Sequence, residues 1–463
     1  METGTRRQVV MEAIRTRIAA RTLLPGDRLP SVRGFAATMK VAPATVVDAY
    51  ERLAAEGLIR AQRGSGFYVT EGLLQPLTLM QSSTPQARAV DPFWVSRQSL
   101  DAGEDILRPG CGWLPADWMP QEALGRAMRQ VARATPELLA DYGSTRGSQS
   151  LRRLLLSRFA EGGIVAQPDQ LMLTSTGTQA LDLTCRFLLR SGDTVLIDDP
   201  CYFNFQALLK AHQVKVVSVP YTPAGPDPDR FAAVLEAERP RLYLTNSALH
   251  NPTGASLSAP VAHRLLTLAT RHGVTIVEDD IFADFEPEAS VRLAALDGLT
   301  HVIRIGSFSK TFSASIRCGY IAARADWIEG LVDLQVATNF GGPSPIAAEI
   351  VALVLAGGGY RKHMDLLRRR LGHARREVEQ RLAALGIEPV LRPRGGFYLW
   401  CRLPDGVDAA RVAQQALAKG VVLAPGNVFS LSQSAGNLMR FNVAQMQDRR
   451  IDTVLAEALR EVP

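Results

Sequence analysis

Apolar residues recur at helical spacing at Val9, Val10, Ala13, Ile14 and Ile18, which predicts a first helix over 6–22. The run from Leu24 to Ser31 reads as a turn, with Ser31 placed to cap a second helix over 32–39. After Lys40-Val41-Ala42-Pro43 a third helix runs to about Glu56. Pro43 suits its first turn, where the missing N–H has no partner to lose. Gly57 closes that helix, and Leu58-Ile59-Arg60 and Phe67-Tyr68-Val69 then read as two arms of a hairpin around a glycine-containing turn.

Residues 76–103 carry Pro76, Pro85, Pro92 and the polar run Gln81-Ser82-Ser83-Thr84 with weak periodicity, the pattern of a linker on which Phe93 and Trp94 can dock to a neighbouring surface. From 104 onward apolar strand runs alternate with helical patterns. The strands are expected at Leu171–Thr174, Thr194–Ile197, Lys215–Val219, Leu242–Thr245, Thr275–Val277, Val302–Ile305 and Gly319–Ala322. Most lack polar alternation, as strands buried on both faces of a largely parallel sheet do. An α/β domain with a mostly parallel seven-stranded sheet follows over 104–463, its large lobe about 140–345 and a smaller α+β lobe made of 104–139 and 346–463.

Composition narrows this picture. With 46% hydrophobic and 21% charged residues in 463, the chain has the balance of a globular protein with a large core. No apolar run approaches the roughly 20 residues that span a bilayer, and charges interrupt the N-terminal apolar pattern as no signal peptide allows. The five cysteines are scattered with no C-x-x-C pair, so neither a disulfide framework nor a metal site is expected, and a cytoplasmic location is the default. The net charge of +6 is uneven: residues 1–75 carry 11 Lys and Arg against 7 Asp and Glu, the remainder 41 against 39.

Three helices and a hairpin in a basic segment are the order of a winged helix-turn-helix. The segments Pro25-Gly26-Asp27-Arg28-Leu29-Pro30-Ser31-Val32-Arg33, Ala44-Thr45-Val46-Val47-Asp48-Ala49-Tyr50 and Arg63-Gly64-Ser65-Gly66-Phe67-Tyr68-Val69 resemble the GntR type of that fold over residues 1–75. The resemblance implies binding to double-stranded DNA, with the third helix in the major groove and the wing on the backbone. Arg33, Thr45 and Arg63 are the expected contacts, and Pro43 stands where the family commonly has arginine.

Four constellations in the larger domain point to pyridoxal 5'-phosphate (PLP). Ser307-Phe308-Ser309-Lys310 follows a strand, with Arg317 seven residues on: an amine that can form a Schiff base, beside hydroxyls and a guanidinium for a phosphate. Thr174-Ser175-Thr176-Gly177-Thr178-Gln179 is a strand-to-helix turn whose N–H groups suit a phosphate dianion. His250-Asn251-Pro252-Thr253-Gly254 and Glu278-Asp279-Asp280 also leave strand ends, where open α/β sheets bind ligands. Together they resemble the fold-type I aminotransferases over about 104–463.

That resemblance implies roles residue by residue. Lys310 is the Schiff-base lysine, Asp279 the pyridine-nitrogen partner and Asn251 a donor to the phenolic oxygen. Gly177, Thr178, Gln179, Ser307, Ser309 and Arg317 surround the phosphate, and Tyr202 stacks on the ring. Tyr142 reaches the phosphate of a partner subunit, implying a homodimer, and Arg440 grips an amino acid's α-carboxylate. Phe282 replaces the tyrosine usual three residues after the aspartate, removing one hydroxyl. A GntR-type reader joined to such a domain resembles the MocR subfamily of regulators, which implies a dimeric regulator responding to PLP, an amino acid or an amine. A transaminase carrying a DNA-binding extension is the rival reading.

Overall fold

The computed structural model describes residues 6–19, 22–24, 26–62, 65–70, 90–103 and 105–462. Arg63 and Gly64 of the expected wing turn, and residues 71–89 of the region between the halves, lie outside the described residues. The chain divides into two compact units, Met1–Arg88 and Ala89–Pro463.

In the first unit, α1 (Arg6–Ala19), α2 (Val32–Met39) and α3 (Pro43–Ala55) precede the antiparallel strands β1 (Ile59–Gln62) and β2 (Gly66–Val69). The Ser31 side chain accepts from the Gly34 N–H at 3.1 Å, and Pro43 is the first residue of α3. Apolar residues at 46, 49, 50 and 53 put one stripe of α3 into the core with Val10, Ile14 and Phe35. Tyr50 is anchored there by its hydroxyl, which donates to the Pro30 carbonyl at 3.1 Å. Gly57 takes φ 75°, a left-handed conformation that lets the chain turn from α3 into β1.

The second unit opens with a helix, α4 (Pro92–Leu100), inside the stretch expected as linker. Asp91 caps it by accepting from the Trp94 N–H at 2.8 Å, and Trp94 and Val95 are buried in the large core. Period was hard to read there because the helix is short and follows a proline-rich run.

All seven expected strands form: β3 (Leu171–Thr174), β4 (Thr194–Asp199), β5 (Lys215–Thr222), β7 (Leu242–Thr245), β8 (Thr275–Asp279), β9 (Val302–Ser307) and β10 (Gly319–Ala322). An eighth, the two-residue β6 (Gly225–Pro226), folds back on the end of β5 and is too short to show a period. The order is β3-β10-β9-β8-β7-β4-β5-β6; β4, β5, β7, β8 and β9 are mutually parallel, and β10 runs antiparallel between β3 and β9. Both faces are covered: Val195 and Ile197 enter one core and Leu196 the other, which is why the sequence shows no polar alternation.

A second, antiparallel sheet joins β11 (Glu388–Pro389), β12 (Tyr398–Arg402), β14 (Leu438–Asn442) and β13 (Ala424–Pro425). Helices Gly359–Ala383, Ala409–Ala418 and Arg450–Glu461 accompany it.

Candidate active site and DNA reader

The turn after β3 is locked by its own side chains. Thr176 Oγ1 accepts from the Gln179 N–H at 2.9 Å, and Gln179 Oε1 accepts from the Ser175 N–H at 2.6 Å. Gln179 therefore shapes the turn, while Thr178 is exposed in the first turn of helix Gly177–Leu188. A side chain on Gly177 would touch Ser307 at 3.4 Å, so the ends of β3 and β9 meet. The Ser307 and Ser309 hydroxyls lie 3.0 Å apart. Arg317 takes φ 52° and is exposed, and no carboxylate among the described residues pairs with it.

β8 separates three consecutive acids. Glu278 accepts from the Leu293 and Ala294 N–H groups at 2.8 and 2.9 Å, and Asp280 pairs with Arg292 and Arg304 at 2.7 and 2.6 Å. Asp279 points the other way, accepts from the Ile281 N–H at 3.2 Å, and has no ion-pair partner among the described residues. Burial lifts its carboxyl to about 7, against the pull of that N–H.

Lys310, just beyond β9, is close enough to Cys111, Arg440, Asp279 and Arg317 to feel their charges, and burial lowers its amine to about 8. Arg440 is fully buried in β14, donating to Asn251 Oδ1 at 2.7 Å and the Gly110 carbonyl at 2.8 Å. Its guanidinium carbon sits 4.2 Å from the Tyr398 ring centre and 4.7 Å from that of Phe429, and its Nε is buried with no hydrogen-bond partner among the described residues. Tyr202 packs against Phe203 and Phe205, its phenol raised to about 12 by burial and lowered again by Arg440. The structure thus brings Lys310, Asp279, Asn251, Tyr202 and Arg440 together, with the Ser307, Ser309 and Gly177 cluster alongside.

Tyr142 stands apart. It is 81% exposed, its ring meets Phe340 edge-on at 4.9 Å, and among the described residues no hydrogen bond or ring contact joins it to the Lys310 group. In the reader, Arg33 is exposed in the first turn of α2 and Thr45 partly exposed in the first turn of α3.

Sequence reasoning missed Gly110, Cys111, Gly112 and Tyr398. A side chain at Gly110 would collide with the Leu423 carbonyl carbon at 2.4 Å, and that close approach is what sets the Gly110 carbonyl against Arg440. The Gly-Cys-Gly run was a readable hint of tight backbone; Tyr398, in an apolar strand, left no local signal.

Residues 116–458 match the sequence profile of the aminotransferase class I and II family, and the chain belongs to that family. Residues 6–69 match the profile of the bacterial regulatory proteins of the gntR family, and this fusion is the MocR-type architecture. The chain is 28% identical over 446 residues to the uncharacterised HTH-type transcriptional regulator YdcR of Escherichia coli K12, covering 94% of each. It is 29% identical over 354 residues to the 2-aminoadipate transaminase of Thermus thermophilus, covering 73% of this chain and 87% of that one. Among solved structures, LysN, the α-aminoadipate aminotransferase of Thermus thermophilus complexed with N-(5'-phosphopyridoxyl)-L-leucine, superposes with a TM-score of 0.72 at 26% identity, covering 79% of this chain and 94% of LysN.

An aminotransferase class I and II domain implies dependence on PLP, and the residues here fit that group. Asp279 is a buried carboxyl without a cation, as a ring nitrogen requires. A side chain on Gly319 would strike the backbone of Thr176 and Gly177 at 2.8 and 2.9 Å, so the turn is drawn tightly onto β10 with its N–H groups ahead of a helix.

Proposed function

We propose that this protein is a DNA-binding transcriptional regulator whose second domain holds PLP at Lys310 and reads an amino acid or amine there. The observation that carries the reading is Arg440: fully buried, with an unpartnered Nε, and near enough to Lys310 to act on its charge, in a chain that also carries a GntR-type reader. PLP supplies an aldehyde that condenses with an amine and a ring that draws electrons from the carbon bearing it.

The chain's own residues would do the rest. Gly177, Thr178, Ser307, Ser309 and Arg317 would hold the phosphate, and Gln179 would keep the turn in shape. Asp279 would keep a proton on the ring nitrogen, and Asn251, already held by Arg440, would donate to the ring oxygen. Tyr202 would cover one ring face. Lys310, with its amine lowered to about 8, holds roughly a tenth of its nitrogen in the neutral, nucleophilic form at pH 7, far more than an ordinary lysine does. Arg440 would offer its open Nε and a second N–H to a carboxylate.

A homodimer in the cytoplasm completes the proposal. The exposed pair Tyr142 and Phe340 supports it, since an aromatic contact of this kind favours burial against a second copy, where Tyr142 would reach the other subunit's phosphate. A second reading, an active transaminase, is favoured by the joint presence of Lys310, Asp279, Asn251 and Arg440. A steady-state assay with amino donor and keto acid separates the two.

The central test is a visible spectrum of the purified protein with PLP, titrated with amino acids and run beside DNA binding. A visible band should appear, disappear in Lys310→Ala while the fold is kept, and change together with DNA affinity when the effector is added. A band unchanged in Lys310→Ala removes that residue from its role.

A further inference from the structure

Tyr398 lies in β12 beside β14, in a register that pairs Tyr398 with Asn442 and Trp400 with Arg440, so these four share one face of the small sheet. Its ring is fixed on both sides. The Arg440 guanidinium covers it at 4.2 Å, Phe397 packs at 4.4 Å, and Phe282 meets it edge-on at 5.7 Å and 73°. Phe282 brings no hydroxyl to this corner, so in that pair the polar atom belongs to Tyr398.

That hydroxyl opens toward Lys310. A Cβ built on Gly112 would lie 3.3 Å from Tyr398 Oη and 3.7 Å from Lys310 Nζ, so both atoms border one small gap that Gly112 leaves free. Tyr398 is 5% exposed, and its hydroxyl makes no hydrogen bond among the described residues and borders the open space beside Gly112. Three other buried or partly buried tyrosines of the domain do have one: Tyr243 donates to Asp198, Tyr360 to Asp284 and Tyr221 to the Asn246 carbonyl. A buried phenol usually finds a partner; across the Gly112 gap the group facing it is the Lys310 nitrogen, while the Arg440 guanidinium lies over the face of the ring. The adjacent thiol is already used, Cys111 donating to the Trp113 carbonyl at 3.4 Å.

We propose that Tyr398 is a positioning residue for Lys310, its hydroxyl oxygen accepting an N–H from the Lys310 nitrogen and so holding the proton there. The proposal rests on the reading of Lys310 as the PLP-binding lysine. Burial pushes the Tyr398 phenol above its ordinary range, so it stays a neutral hydroxyl near neutral pH and its oxygen is free to accept. The groups facing Lys310 are Asp279, whose charge favours its proton, the Cys111 thiol, which burial keeps protonated, and Arg440 and Arg317, which oppose its proton; Tyr398 itself faces Arg440, Tyr202 and Cys111.

The test is a pH titration of the visible band of the PLP-loaded full-length protein, comparing the native chain with Tyr398→Phe and Lys310→Ala. Tyr398→Phe keeps the ring packing, so the band and the circular dichroism spectrum should persist. The midpoint of the titration should fall by about half a pH unit or more, a change of about threefold in the proton equilibrium. A midpoint that stays in place or rises, with the band intact, overturns the role of Tyr398 and leaves the Lys310 reading standing. A native protein without a visible band, or a band that survives in Lys310→Ala, overturns the Lys310 reading itself and the inference with it.

Discussion

Glu278, Asp279 and Asp280 are chemically near-identical neighbours with three different environments. Glu278 is held by backbone N–H groups and Asp280 by a pair of arginines, while Asp279 has no ion-pair partner among the described residues and faces Lys310. Its folded value of about 7 stands above the ordinary 3.8, so between those values the unfolded chain binds fewer protons than the folded one. Its contribution to stability is therefore intact below the ordinary value and lost as pH rises through about 7. In cofactor-free protein, Asp279→Asn should gain stability relative to the native chain as pH climbs through this window, by at most about 1.4 kcal/mol per unit. Urea unfolding across that range checks it, and parallel curves would mean that Asp279 titrates normally. Arg440 makes a second prediction at this scale. Arg440→Ala should leave the PLP band but abolish its response to amino acids, while the response to an amine without a carboxylate survives. Spectral titration with both ligand types decides it. Removing the guanidinium also strands Asn251 Oδ1 and the Gly110 carbonyl, at a cost of about 1–3 kcal/mol each.

At the level of elements, the site depends on how closely β10 and the turn after β3 approach each other. Gly319 pairs with Thr174 on one side and Ser307 on the other, with no room for a methyl group against the backbone at Thr176 and Gly177. Gly319→Ala should push the helix-opening turn away from the Ser307 hydroxyl. The expected result is a loss of PLP affinity of at least about tenfold, equivalent to about 1.4 kcal/mol, with far-ultraviolet circular dichroism nearly unchanged. Fluorescence titration of the cofactor-free protein measures it, and native affinity in the variant would mean that the turn relaxes without moving its N–H groups. The reader depends on its elements in a simpler way, since the Ser31 cap and the buried stripe of α3 are both contained within about 20 residues of sequence.

For the whole molecule, the question is how a reader of modest charge finds its site. Residues 1–75 carry a net excess of four positive charges, so this segment alone should bind DNA weakly and with strong salt dependence. In the proposed homodimer, two readers joined through the second domain would make the second contact intramolecular, and paired half-sites should be bound far more tightly than one. The dimer would also select the spacing of the half-sites, and an effector that changes the domain would change affinity at a given spacing. Affinity for single and paired half-sites at several spacings, with and without PLP and amino acid, tests this. Equal affinity for the isolated reader and the full chain, with no effect of spacing, would favour the transaminase reading.

The sequence by itself determined the parts whose signals are short-range. Helix periodicity, the Ser31 cap and the Gly57 stop outlined the reader, and apolar runs ending in turn residues located seven strands and the chemistry at their carboxyl ends. These features depend on neighbours within a few residues, so they survive in a linear reading. The resemblance singled out Asp279 among the three consecutive acids, but only tertiary structure gives the reason, because it depends on where Arg292, Arg304 and the 293–294 backbone arrive. Tertiary structure also decided that α4 joins the second unit's core, that Arg440 is held by Asn251 and Gly110, and that Tyr398 and Lys310 border one gap beside Gly112. Each of those contacts joins segments far apart in the chain, and only the packing of the folded domain brings them together.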